Sequence, residues 1–179
     1  FAGVDRYVDE TLYPHEGVLL TNSAGAYGVT IAEHILMVTL MLLRQMMPTM
    51  KAVGEKVWLL PLPVRSICGA SITVLGTGDI GTSFARRAKA MGAKSICGVR
   101  RTIKPADPAF DRIVTLSDLD SVLPDTDILV MALPSTGETV GVLSRERIAL
   151  LPQHAVVVNV GRGTAIDQEA LAEALNDGR

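Results

Sequence analysis

Residues 76–81 read Gly-Thr-Gly-Asp-Ile-Gly, a run whose glycine spacing suits the grip of a diphosphate. Gly76 permits a tight turn, Gly78 lets an anionic ligand approach main-chain N–H groups, and Gly81 allows the following helix to pack closely on the preceding strand. A helix that begins here aims free N–H groups and the positive end of its dipole at the ligand. The flanks agree. Residues 71–75 are a short strand-like apolar run, and Ile80, Phe84, Ala88 and Met91 share one face of a helical pattern. Strand, glycine turn and helix together make the dinucleotide-binding fingerprint, with Asp79 and Ile80 inside it.

About twenty residues further on, such folds normally carry a carboxylate that accepts from the adenosine ribose hydroxyls of NAD. Here the strand at 95–99 runs straight into Arg100-Arg101-Thr102, and no acidic residue occurs between Asp79 and Asp107. A carboxylate repels a 2′-phosphate, whereas guanidinium groups fork onto it. The pattern points to NADP rather than NAD; the plainer reading leaves these arginines as solvated loop residues with NAD held by the backbone.

A second cluster lies near the end of the chain. Val160-Gly161-Arg162-Gly163 follows an apolar run at 155–158. A guanidinium between two glycines at the carboxyl edge of a parallel sheet is placed to grip a small carboxylate. Capping of a helix, or pairing with a neighbouring acid, explains Arg162 equally well at this point.

The elements that must position these groups alternate. Strands are expected near 71–75, 95–99, 112–115, 127–133 and 155–160, and helices near 79–91, 117–123, 144–150 and 167–177. Ser117 and Asp167 are the expected N-caps. Alternation of this kind gives an α/β fold, a Rossmann-type doubly wound parallel sheet with ligands at the carboxyl ends of its strands. Ahead of it, a strand is expected at 18–21 and a long helix at 29–47, stopped by Pro48 and apolar almost all round, as in a core or a subunit contact. An irregular connection over 53–66 follows, with Trp58 expected to plug a gap.

Composition limits the alternatives. The chain has 179 residues, with 17 Lys and Arg against 19 Asp and Glu, so it lacks the basic excess of a nucleic-acid surface. Its most apolar run, 35–43, is too short to span a bilayer. Cys68 and Cys97 have neither metal nor disulfide spacing, which suits a reducing cytoplasm, and no metal site is expected.

The chain resembles the D-isomer-specific 2-hydroxyacid dehydrogenase family, which contains D-phosphoglycerate, glyoxylate/hydroxypyruvate and D-lactate dehydrogenases. The resemblance rests on motifs in the family's order. These are Ala2-Gly3-Val4-Asp5; Thr21-Asn22 leading to Ala32-Glu33-His34; the 76–81 fingerprint; the 127–134 strand with Thr136 and Glu138-Thr139; and 159–167 with Glu169-Ala170-Leu171. It implies that Arg162 orients the substrate's carboxylate and keto oxygen, and that Ala2-Gly3 belongs to the loop receiving that carboxylate from a second domain. It also implies that Gly78, Asp79 and Ile80 contact the pyrophosphate, with Arg100 where NAD-dependent members carry their ribose-binding Asp. Leu133, Pro134 and Thr139 then line the adenosine side, and Val160 and Gly161 the nicotinamide. The helix after Val29 resembles the one through which members form homodimers.

One departure matters. The family's general acid is a histidine supported by a glutamate, both beyond the arginine motif, and this sequence stops at Gly178-Arg179. His15, His34 and His154 do not fill the gap. The resulting expectation is a fragment: residues 1–22 as the end of a substrate domain, and 23–179 as a C-terminally incomplete dinucleotide domain. The enzyme would exchange a hydride between NAD(P)H and a small 2-keto/2-hydroxy acid pair, with glyoxylate or hydroxypyruvate reduction ahead of phosphoglycerate oxidation. The rival reading is a corepressor-like protein in which the dinucleotide governs association rather than metabolism.

Overall fold

The computed structural model describes residues 17, 19–59, 62–105 and 107–178. β1 (Ser71–Leu75), β2 (Ser95–Val99), β3 (Arg112–Val114), β4 (Ile128–Met131) and β5 (Val156–Asn159) form one parallel sheet in the order β3-β2-β1-β4-β5. In register, Leu75 pairs with Val99 on one side and Met131 on the other, and Met131 pairs with Asn159. The carboxyl ends therefore lie in one row. Chain order reverses direction across β1 and β4, which is where a doubly wound sheet opens its ligand crevice.

These strands are nearly all apolar because both faces are covered. On one face Ile72, Val74, Ile128, Val130, Val156 and Val158 pack with Ala32, Ile35 and Leu43 of α1 (Gly28–Leu43) and Phe84, Ala85 and Ala88 of α3 (Asp79–Ala90). On the other, Leu75, Leu129 and Met131 meet α4 (Leu119–Val122), α5 (Arg145–Leu150) and α6 (Gln168–Asn176) through Leu119, Ile148 and Ala170. Thr73 is the buried polar member of β1. Its hydroxyl lies 2.7 Å from that of Thr126, which donates to the Val122 carbonyl at 2.8 Å, so the buried pair is satisfied.

The sheet and its five parallel strands agree with the sequence reading, whereas the amino-terminal region departs from it. Residues 19–21 form no strand, and residue 18 lies outside the described residues. The helix expected over 29–47 ends at Leu43, and α2 (Met46–Glu55) starts after Gln45 at an angle of 66°. Gln45 makes the break by adopting φ +55°, a left-handed conformation. Its carbonyl then accepts from the Thr49 hydroxyl at 2.8 Å. Pro48 does not stop a helix; it sits in the first turn of α2, where a main-chain N–H has no intrahelical acceptor to lose. Trp58 plugs nothing, being 92% exposed.

Only 119–122 of the helix expected at 117–123 is α-helical, between two single 3₁₀ turns. Ser117 is not its cap. Thr115 leads the turn instead, its N–H and hydroxyl both donating to the Asp118 carboxylate. Asp167 does cap α6, accepting from the Ala170 N–H at 3.0 Å. No single helix among the described residues is long and apolar enough to cross a membrane.

Candidate functional site

The carboxyl ends of β1, β2 and β4 open onto a cleft of about 570 Å³. Its floor is the turn between β1 and α3. Gly76 has φ +99°, and a Cβ there would lie 2.7 Å from the Ala132 carbonyl oxygen, so this position needs glycine twice over. A Cβ at Gly81 would lie 2.0 Å from the Gly76 carbonyl oxygen, so α3 can start this close to the strand only without a side chain there. Gly78 differs: a Cβ would meet nothing within 4 Å, which leaves open space in front of the N-terminus of α3. Gly78 is also the N-cap and supplies no side-chain acceptor, so the first N–H groups of α3 stay available to a ligand. These features fit a dinucleotide pyrophosphate: a close main-chain approach, a helix N-terminus and no side chain in the way.

Gly76, Gly78, Arg100, Arg101, Thr102, Leu133, Pro134 and Thr139 all line this cleft. Asp79, Ile80 and Gly81 stand directly behind its floor as the first residues of α3. Arg100 continues β2, its N–H donating to the Val114 carbonyl at 3.1 Å, so the cationic segment starts from a fixed point. Lys104 and Glu138 also face the cleft, and the sequence reading gave neither a role. Lys104 was legible as a third cation within the acid-free stretch after β2. Glu138 brings a carboxylate to the opposite wall.

Thr139 lines the cleft but is engaged internally. Its hydroxyl donates to the Pro134 carbonyl at 2.6 Å and accepts from the Thr136 N–H at 2.8 Å. It shapes the 134–139 wall rather than offering a free hydroxyl to a ligand.

The loop after β5 forms a separate structure beside the cleft. Val160 continues the strand hydrogen bonding to the Met131 carbonyl. The Asn159 side chain then folds over the turn, accepting from the Gly161 N–H at 2.9 Å and donating to the Arg162 carbonyl at 3.0 Å. Gly161 presses on the 132–134 loop so closely that a Cβ would lie 2.5 Å from the Leu133 carbonyl oxygen. Val160, Gly161 and Arg162 are thereby held against the β4 wall of the cleft, with Arg162 half-buried. Ala2 and Gly3 lie outside the described residues.

The described histidines stand elsewhere. His34 is exposed on α1, and His154 lies before β5, at the amino edge of the sheet, 2.7 Å from the Asp127 carboxylate. Burial raises the Asp127 pKa, but the Ser71 N–H and His154 outweigh it and hold the group below the usual carboxylate range. Among the described residues, no cluster of His, Cys, Asp or Glu has the makings of a metal site.

A family model for the D-isomer specific 2-hydroxyacid dehydrogenase, NAD binding domain, matches residues 36–179. The chain belongs to this family. Among curated relatives, hydroxypyruvate reductase of Thermotoga maritima is 30% identical over 178 residues, covering 99% of this chain and 56% of that protein. Among solved structures, a D-isomer specific 2-hydroxyacid dehydrogenase family protein from Aeromonas salmonicida superposes with a TM-score of 0.87 at 32% identity, covering 99% of this chain and 56% of that one. A D-isomer specific 2-hydroxyacid dehydrogenase from Xanthobacter autotrophicus, solved with NADPH and MES, gives a TM-score of 0.82 at 29% identity and covers 99% of this chain and 72% of that one. The chain thus spans about half the length of the curated relatives it matches. For a member of this dehydrogenase family, the 76–81 turn and the open face of Gly78 fall in the part matched as the NAD binding domain.

Proposed function

We propose that this chain is the dinucleotide-binding part of an oxidoreductase that interconverts a small D-2-hydroxy acid and its 2-keto acid, and that it prefers NADP to NAD. The observation that carries the cofactor preference is the cationic wall: Arg100, Arg101 and Lys104 line the cleft beside the glycine turn, on a segment with no acidic residue. Guanidinium and ammonium groups there favour a 2′-phosphate. The Xanthobacter relative, solved with NADPH, supports the cofactor reading, and the hydroxypyruvate reductase of Thermotoga supports the reaction class.

In this reading the α3 N-terminus holds the pyrophosphate, and Leu133, Pro134 and Thr139 wall the adenosine. Val160 and Gly161 border the nicotinamide. Arg162, fixed by the Asn159 clamp, anchors the carboxylate and polarises the keto oxygen. The dinucleotide, when bound, supplies the redox chemistry. Residues 1–22 fall to a second domain, with Ala2 and Gly3 on its substrate side, and 23–179 to the dinucleotide domain.

A second copy of the chain is the proposed partner. Val29, Met37 and Leu42 of α1 and Met47, Met50 and Val53 of α2 leave an apolar surface exposed, together with Trp58.

Titration with NADPH and NADH, followed by nicotinamide fluorescence, tests the cofactor reading. Tighter binding of NADPH supports it; equal or tighter binding of NADH returns Arg100 and Arg101 to solvated loop residues.

A further inference from the structure

Asp79 puts a carboxylate at the first position of α3, beside the turn assigned to the pyrophosphate. A negative side chain there is favourable to the helix. It also claims the same positive helix end that a diphosphate would use. Where this carboxylate is held therefore bears on how the turn receives an anion.

It is held against Gly28, the first residue of α1. A Cβ at Gly28 would lie 2.4 Å from both Asp79 carboxylate oxygens and 2.5 Å from Cγ. The arrangement exists only because residue 28 carries no side chain. Gly28 is itself buried, while Asp79 is exposed on its other side. α1 is 16 residues long, has no acidic residue in its first turn, and receives no side-chain hydrogen bond from its N-cap, Tyr27. The first turn of α1, where the positive end of its dipole lies, is thus packed beside the Asp79 carboxylate.

We propose that Gly28 is a parking position for the Asp79 carboxylate, and that this pair sets how tightly the 76–81 turn holds a dinucleotide. The proposal rests on the reading of that turn as a dinucleotide site. Seated on α1, the charge is drawn away from the open face of Gly78. Any side chain at residue 28 turns it out of its seat and toward the diphosphate, where like charges repel. Asp79 is then an affinity-setting residue that acts through its position relative to α1.

A double-mutant cycle on the purified protein tests this, with the dissociation constant for NADPH measured by nicotinamide fluorescence and thermal unfolding recorded for each variant. Gly28→Ala is expected to weaken binding about tenfold, by a margin that shrinks as salt screens the repulsion. Asp79→Asn is expected to tighten binding about threefold. The double variant Gly28→Ala/Asp79→Asn should bind no more weakly than the unaltered protein, because the displaced side chain no longer carries charge. Equal weakening by Gly28→Ala with and without the Asp79→Asn substitution, or no weakening at all, overturns the proposal and leaves the dinucleotide site standing. If Gly28→Ala fails to fold, Asp79→Glu carries the test: its longer carboxylate cannot take the same seat, so unchanged affinity overturns the proposal. An unaltered protein that binds neither NADPH nor NADH overturns the dinucleotide reading itself.

Discussion

Asn159 and Arg162 are joined through the main chain: the Asn159 amide donates to the Arg162 carbonyl at 3.0 Å while accepting from the Gly161 N–H at 2.9 Å. One short side chain at the end of β5 therefore fixes a turn that carries a guanidinium. Asn159→Asp keeps the acceptor but turns an oxygen toward the Arg162 carbonyl. The expected loss is about 1–3 kcal/mol in chemical denaturation at neutral pH. An unchanged midpoint would show that the clamp contributes nothing to the native state.

The glycines of the turn separate folding from binding. Gly81→Ala drives a Cβ to 2.0 Å from the Gly76 carbonyl oxygen, so a loss of stability beyond the usual range of about 1–3 kcal/mol for overpacking is expected. Gly78→Ala meets nothing within 4 Å and has an ordinary φ of −77°, so its melting temperature should hold or rise slightly. Its added methyl group enters the open face, and dinucleotide binding should fall. Thermal unfolding and NADPH titration of the two variants read both effects.

Replacing Arg100 with Asp and Arg101 with Ala should lower NADPH affinity by about tenfold or more, since each charge-assisted contact is worth about 1.5–3 kcal/mol. NADH affinity should hold or improve. The ratio of the two dissociation constants is the readout, and an unaltered ratio removes both arginines from cofactor choice.

Acid should loosen the β2–β3 edge. The Lys89 ammonium and the Ile96 N–H hold Asp111 below the usual carboxylate range, and the Arg86 guanidinium and Ala109 N–H do the same for Asp107. A carboxyl depressed on folding adds stability above its unfolded pKa, about 3.9, and that contribution fades as pH falls through the folded value. Asp111→Asn should therefore melt below the unaltered protein at neutral pH, and the gap should close as pH is lowered past about 4. A gap that persists undiminished in strong acid would trace to packing instead.

Thr39 is fully buried in α1, and its hydroxyl has no hydrogen-bond partner among the described residues. Thr39→Val removes that burden at nearly constant shape. Stability is expected to hold or to rise by about 1 kcal/mol in urea unfolding. A clear loss would reveal a partner for the hydroxyl.

The parts legible in the sequence were those fixed by neighbours in the chain. Ile72, Val74, Ile128 and Val130 announce strands buried on both faces, and Gly76 and Gly81 announce a turn that only glycine can make. What escaped depends on backbone choices or long-range contacts. Gln45 ends α1 in a left-handed conformation that a non-glycine residue adopts rarely, so Pro48 drew attention as the breaker. The bond from the Thr139 hydroxyl to the Pro134 carbonyl leaves no mark in the sequence, which shows only that a threonine stands at this position. The seating of Asp79 on Gly28 joins residues far apart in the chain, and neither residue type hints at the other.

The segment bearing Arg100, Arg101 and Lys104 is pinned at both ends. The Arg100 N–H is tied to the Val114 carbonyl, and Asp107 is tied to Arg86 of α3 and to the Ala109 N–H. Residues between those ends can be exchanged without disturbing the sheet or α3. Under the proposed cofactor reading, the fold carries these side chains as a replaceable cassette, and exchange among them would shift the chain between phosphorylated and unphosphorylated ribose while the scaffold stays unchanged.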